Sequence, residues 1–385
     1  MKRSFGPFLL LVFVLLFARP PRPGEGRRHR LDPPRACVLV PEAVPDFSES
    51  PGESPEPLSA APSREPSMGE ETLRDVGIIE DIGLPSLGWL LARQNSDGSW
   101  GKGMAFLDGH WVSRVGETSL ALLAFLGAGY SHLSRDRYGD HETGSAVRAA
   151  ARWLMAEVGS DGVFRSVRDG SLEQVLGTLA LCEIYGLTGS SLFKESAQNA
   201  LDGLRGFQLE DGSFGDAMTT DWALSALQSA RLSELNLWEG GLDRLRPAYE
   251  RRELAAPDAG TALFRIWLDR SKGDDRVRRA AEIVYSRSSA AGNGSMHEIY
   301  RDSLALYQVD GPSGELWKAW SPALKETLRR TDAGRLWEGS PRDASVVDAA
   351  LAALCSEIFF RYSPQFVPVE TSPSGGVPVV EPSEK

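Results

Sequence analysis

The 385-residue sequence predicts an all-α fold of six helix hairpins closed into a double ring, and three observations carry that reading. First, an apolar stretch (Leu87, Trp89, Leu90, Leu91) runs into Arg93-Gln94-Asn95-Ser96-Asp97-Gly98-Ser99-Trp100, and a second apolar run follows from Thr118 to Leu126. Asp-Gly stops a helix because glycine accepts the left-handed backbone of a C-terminal cap, and the aromatic side chain can fold back over the open end. Second, this corner recurs at Asp161-Gly162-Val163-Phe164 and Asp211-Gly212-Ser213-Phe214, with spacings of 64 and 50 residues, and in worn form at Asp332-Ala333-Gly334-Arg335-Leu336-Trp337. Third, the helix after the corner repeats Leu-Ala-Leu at 120–122, 179–181 and 304–306. Repeats at such a period signal stacked units, each unable to bury its apolar face alone.

In chain order, first-of-pair helices are expected near 85–94, 146–158, 195–208, 241–254, 275–287 and 314–330. Their partners fall near 116–128, 174–186, 219–233, 258–269, 298–309 and 345–361. The second set is rich in Ala and Leu, as helices buried on both sides should be, while the first carries charge on one side (Arg148, Arg152, Lys194, Arg278, Lys318, Lys325). The second set is therefore inner and the first outer. Glycines close inner helices at Gly127/Gly129, Gly186/Gly189 and Gly311/Gly314. No strand pattern competes. Six units bent one way can close and leave no ends to cap.

The run Gln94…Asp97-Gly98-Ser99-Trp100 resembles the Q-x-x-D-G-S-W repeat of the prenyltransferase and squalene-oxidase repeat family. The segments Gly177–Gly186, Tyr307-Gln308-Val309 and Leu316–Trp320 are similar to a bacterial, exported, non-cyclase branch of it. The resemblance covers roughly 85–362 and implies the (α/α)6 toroid of triterpene cyclases and protein prenyltransferase β-subunits. It does not carry a reaction with it. The cyclases' D-x-D-D acid cluster is absent, and Asp274-Asp275 is followed by Arg276 and Arg278 rather than a third acid. The prenyltransferase zinc pair D-x-C is absent, since Cys182 and Cys355 follow Ala180 and Ala353 at that spacing, and no His follows His297. The thioester run G-C-G-E-Q and a G-x-S-x-G nucleophile elbow are missing too. No cofactor and no metal are expected.

Outside the repeats, Lys2 and Arg3 precede an apolar core from Phe8 to Ala18, too short for a span of about 20 residues. Residues 1–18 read as a signal peptide or short membrane anchor, with Leu16 and Ala18 a poor cleavage site. An exported, periplasmic or otherwise extracytoplasmic location follows, with the membrane reached through residues 8–18 if they are retained. Residues 19–84 read as a Pro-rich disordered tether with a short helix near Glu70–Ile82, and 363–385 as a disordered tail. Cys37 lacks a lipid-attachment pattern. Cys182 and Cys355 are expected as small buried side chains. The net charge of −11 argues against nucleic acid as a partner.

Carboxylates cluster at the starts of inner helices: Glu117, Glu173, Asp216, Asp221, Asp258, Glu298, Asp302 and Asp348. Capping is the ordinary role of acids there, contributing about 1 kcal/mol or less each. Asp221, Asp302, Asp348 and Glu117 are the candidates for acid–base chemistry. Trp222, Tyr300, Phe264 and Trp267 on inner helices are candidates for lining an apolar, isoprenoid-sized pocket, and Tyr307 belongs with them. Trp111, Tyr130 and Tyr138 lie in the two longest loops, 101–115 and 130–145, where binding residues often sit. Three functions follow in order: a non-catalytic scaffold for a partner protein or apolar ligand; a divergent cyclase or prenyltransferase; and a carbohydrate-active protein using two carboxylates.

Overall fold

The computed structural model describes residues 83–358, apart from 139, 166–170, 270–272, 292–293 and 331–344. The expected signal or anchor, most of the tether, the worn corner at Asp332–Trp337 and the tail lie outside the described residues. Among the described residues twelve α-helices dominate: α1 (Leu84–Leu91), α2 (Arg114–Gly127), α3 (Thr143–Glu157), α4 (Ser171–Thr188), α5 (Ser191–Leu204), α6 (Ala217–Leu232), α7 (Arg246–Ala255), α8 (Ala259–Leu268), α9 (Asp275–Ala291), α10 (Met296–Asp310), α11 (Glu315–Arg330) and α12 (Val346–Ser356). The fold is all-α. The largest shift from expectation is at α7, which starts at Arg246 rather than 241 because Pro247 occupies its first turn, where proline's fixed φ and missing N–H favour a helix start.

The expectation of no strands is corrected at two loops. Residues 101–115 contain β1 (Ala105–Leu107) paired antiparallel with β2 (His110–Val112), and residues 130–145 contain β3 (Arg137–Tyr138) paired with β4 (His141–Glu142). The first hairpin turns on Asp108-Gly109, both at positive φ (45° and 92°). An Asp-Gly pair with that backbone is the favoured two-residue hairpin turn. Strands this short show no alternation long enough to detect.

The even-numbered helices are buried nearly all round. On α2 every residue from Val115 to Gly127 is buried, and on α8 every residue from Ala259 to Trp267. Of the odd-numbered helices, α3, α5, α9 and α11 bury one face, α7 buries Tyr249 alone, and α1 is largely buried. Contacts between even helices run α2–α4–α6–α8–α10–α12 and return from α12 to α2, with α6 and α8 the loosest neighbours. The α12 helix also packs on α1, so the two ends of the described chain meet. The core is this closed circuit.

The corners join one hairpin to the next. In the first, Gln94 Nε2 donates to Gly98 O and to Ala146 O on α3, each at 2.9 Å. In the third, Gln208 Nε2 donates to Gly212 O (3.1 Å) and to Gly241 O just before α7 (3.0 Å). The aromatic's N–H is held by the next inner helix: Trp100 N donates to Thr118 Oγ1 and Phe214 N to Thr220 Oγ1. Trp100 also donates its indole N–H to Leu90 O at 2.7 Å.

The second corner has Val158 where the others have glutamine, and Gln174 on α4 takes both tasks. It accepts from Phe164 N and donates to Gly162 O and to Ala200 O on α5. The absent glutamine in copy two was the available signal for this residue. Each corner glycine has positive φ and lies against the next outer segment, so that a Cβ on Gly212 would stand 1.6 Å from Arg244 O and one on Gly162 2.1 Å from Asn199 O.

Two variants test the corners. Gly212→Ala meets both a strained φ and a backbone clash and should lower stability by about 2–4 kcal/mol, read as a fall in Tm. Gln174→Leu takes the Gln174 partner from the buried Phe164 N–H and from Gly162 O, and should cost a similar amount, about 2–4 kcal/mol. Val158→Gln, which restores the corner residue, should recover part of the Gln174→Leu loss.

Candidate binding face over the helix N-termini

The β1–β2 hairpin lies over the N-terminal ends of several inner helices. Alternation sends Leu107 and Val112 inward, both buried, and Phe106 and Trp111 outward as a cross-strand pair. β1 packs on α12 and β2 on α2. At the turn, Asp108 Oδ2 is 2.9 Å from His297 Nδ1 and accepts from Ser295 Oγ at 2.9 Å, which ties the hairpin to the start of α10. His110 Nε2 stands 3.6 Å from Asp216 Oδ2 at the start of α6. Ser113 N donates to Glu173 at the start of α4, and Gly103 N donates to Glu117 Oε2 in the first turn of α2.

These acids therefore bind the loop to the helix ends. Burial works against a charged carboxylate in Asp108 and Asp216, but hydrogen bonds from His297 and Ser295, and from Thr219, hold both below the usual range. For Glu117 and Glu173 burial wins, and their carboxyls are pushed up despite bonds from backbone N–H groups.

A second cluster fills the loose seam between α6 and α8. Asp221 is buried; Arg252 on α7 donates to both its oxygens, Nη1 to Oδ1 at 2.8 Å and Nη2 to Oδ2 at 3.0 Å. Tyr249 OH donates to Oδ1 at 2.7 Å, and Arg301 Nη2 on α10 stands 3.7 Å from Oδ2. Arg252 also reaches Asp258, the N-cap of α8. Burial disfavours the Asp221 charge, yet Arg252 and then Arg301 outweigh it and hold its carboxyl down. Such an anion is satisfied by its partners and holds no proton to donate near neutral pH.

The remaining expected residues fall as follows. Trp222 on α6 stacks on Tyr300 of α10 with centroids 5.5 Å apart, and lies 5.6 Å from the His297 ring, so these side chains pack against each other across the front of α8. Phe264 stacks instead on Tyr249 of α7 at 4.5 Å, toward the outer layer, and Trp267 is buried on α8. Asp302 is buried with Arg287 Nη2 at 3.3 Å. Asp348 lies in the first turn of α12, bonded to Ser345, and Glu298 forms a capping box with Ser295.

In the 130–145 loop, Tyr130 is buried against Phe125 and Tyr138 half-buried. Cys182 and Cys355 are free and buried, with thiols pushed up by burial. Arg252, Tyr249, Arg301 and the Asp108–His297 pair were not legible in the sequence, since each joins segments far apart in the chain.

The face that remains open is apolar. Met104 is 74% exposed, Phe106 58% and Trp111 67%, and the last two make an edge-to-face pair at 5.5 Å. Among the described residues, no group of three or more His, Cys, Asp and Glu side chains is placed to hold a metal ion, and no helix is long and apolar enough to cross a membrane. Neither protein-family profiles nor characterised proteins match the chain.

Arg252→Leu leaves the buried Asp221 charge with only Tyr249 and the more distant Arg301, and should cost about 3 kcal/mol; Asp221→Leu with Arg252→Leu should recover part of it, in a double-mutant denaturation cycle. The depressed carboxyls of Asp221, Asp216 and Asp108 contribute stability that is present above the unfolded value of 3.8 and lost as pH falls through their lower folded values. Glu117 and Glu173 act with the opposite sign, since raised carboxyls are penalised when charged. Glu117→Gln should therefore be at least as stable as the parent at pH 7, by thermal unfolding.

Proposed function

We propose that this protein is a non-catalytic binding scaffold, built as an (α/α)6 toroid of the prenyltransferase and squalene-oxidase repeat family, that takes its partner on the exposed face of the β1–β2 hairpin. One observation carries the reading: inner-helix side chains expected to line a pocket are buried against each other or the outer layer, while large apolar groups face outward over the helix N-termini. The six hairpins, the closed run of inner-helix contacts and the Gln-Asp-Gly-aromatic corners support the family. Asp221 supports the absence of catalysis, because a cyclase acid must be protonated and poised toward substrate, whereas Asp221 is an ionised carboxylate paired with Arg252. A partner protein fits the exposed aromatic pair better than an enclosed isoprenoid does, since aromatic side chains anchor protein interfaces.

A second reading has one observation behind it. Glu117 and Glu173 keep raised carboxyls at adjacent helix starts, which is how a proton-donating carboxyl is prepared in glycoside cleavage. Both accept backbone N–H groups of the hairpin loop, so a structural role accounts for them.

Extraction of the purified full chain into organic solvent, followed by mass spectrometry, tests the scaffold. The expected extract contains no isoprenoid above trace. An isoprenoid present at one per chain, and lost in Trp222→Ala, would overturn the scaffold in favour of a lipid-binding or cyclase-like interior.

A further inference from the structure

We infer that the hairpin face is covered by the chain's own Arg- and Pro-rich segment, residues 19–35, as an internal occupant that an outside partner must displace. This inference rests on the scaffold reading and names the chemistry its site takes.

The surface asks for an extended, proline-containing ligand with positive charge. Phe106 and Trp111 present an edge-to-face aromatic pair on one strand face, unobstructed by neighbouring side chains of the body. Proline rings pack on exposed aromatics, and a Pro-rich strand loses little entropy on docking because its φ angles are already fixed. Carboxylates stand around the hairpin that carries the pair: Asp216 next to His110, half-exposed Glu173 bonded to Ser113, and exposed Glu298 next to Ser295, which bonds the turn at Asp108. An aromatic platform with acids at its edge suits arginine, which can bind carboxylate and stack on an indole.

The segment Arg19-Pro20-Pro21-Arg22-Pro23 supplies that chemistry, and Pro33-Pro34-Arg35 repeats part of it. Across 19–35 six arginines (19, 22, 27, 28, 30, 35) face two acids, Glu25 and Asp32, for a net +4; since the whole chain carries −11, the remainder carries −15. The segment is thus the most positive stretch of an acidic chain. Forty-eight residues separate Arg35 from Leu84, where α1 begins. They can span up to about 160 Å when extended, against a body radius of gyration near ~19 Å. Tethering raises the local concentration of the segment to about the millimolar range, so weak contacts suffice.

Two other occupants fit less well. A second copy would bring two strongly acidic bodies together on a patch of three apolar side chains, far short of the roughly 1,600 Å² that a stable interface buries. An anionic bilayer would repel the same charge.

The test places a photo-reactive residue on the face of the full chain, Trp111→p-benzoylphenylalanine. The chain is irradiated at low micromolar concentration and the adducts are mapped by mass spectrometry. The expected adducts lie within one chain and map to residues 19–35. Arg19→Gln with Arg22→Gln and Pro21→Gly should reduce them at least tenfold while leaving the circular dichroism and Tm unchanged. The inference is overturned by adducts of dimer mass, by adducts elsewhere in the chain, by adducts to lipid when phosphatidylcholine/phosphatidylglycerol vesicles are present, or by no adduct. A bound isoprenoid with the expected adducts would sink the scaffold reading alone; no adduct and no isoprenoid would sink this inference alone.

Discussion

The contact on which the structure depends is the corner, where one hairpin hands over to the next. A helix end leaves carbonyls and N–H groups without partners, and here those groups are bonded across the repeat boundary. Glutamine bridges the corner glycine's carbonyl to a carbonyl of the following outer segment, as Gln94 does to Ala146 and Gln208 to Gly241. Glycine lets the two backbones touch, and the aromatic fills the space beneath the bend. The same atoms terminate a helix and dock a neighbour. Gln174 shows that the requirement is for the bonds rather than for a residue at one position, since it meets them from the opposite helix.

The inner helices contact one another in a run that returns from α12 to α2. The inner helices bury every side because outer helices cover them on one flank and their own neighbours on the others. Where α6 and α8 separate, the gap is filled by Asp221, Arg252, Tyr249 and Arg301 rather than by apolar packing. An ion cluster of this kind adds little net stability over an apolar filling, but it is intolerant of losing one member.

The β1–β2 hairpin turns the helix N-termini from an acidic opening into a covered end. Its inward face is apolar, its turn is pinned by Asp108 to His297 and Ser295, and its flanks are held by Glu117 and Glu173. Acids that cap and bind loops are thereby spoken for. What the hairpin's outer face turns to solvent is Phe106 and Trp111.

The sequence by itself determined the helices, their pairing and their sorting into two layers. Those follow from short-range rules: the apolar period, the Asp-Gly stop and the aromatic two residues after glycine. It placed Trp111 in a long loop and the acids at inner-helix starts, also local facts. It gave no warning that Asp108-Gly109 closes a hairpin, because strands of three residues leave no alternation to read. The tertiary structure alone decided which acids are neutralised, that Phe264 turns to the outer layer while Trp222 meets Tyr300, and that the hairpin covers the helix ends. Each of these depends on side chains 28 to 189 residues apart being brought within bonding distance, and such meetings are set by how the units close, which no local pattern encodes.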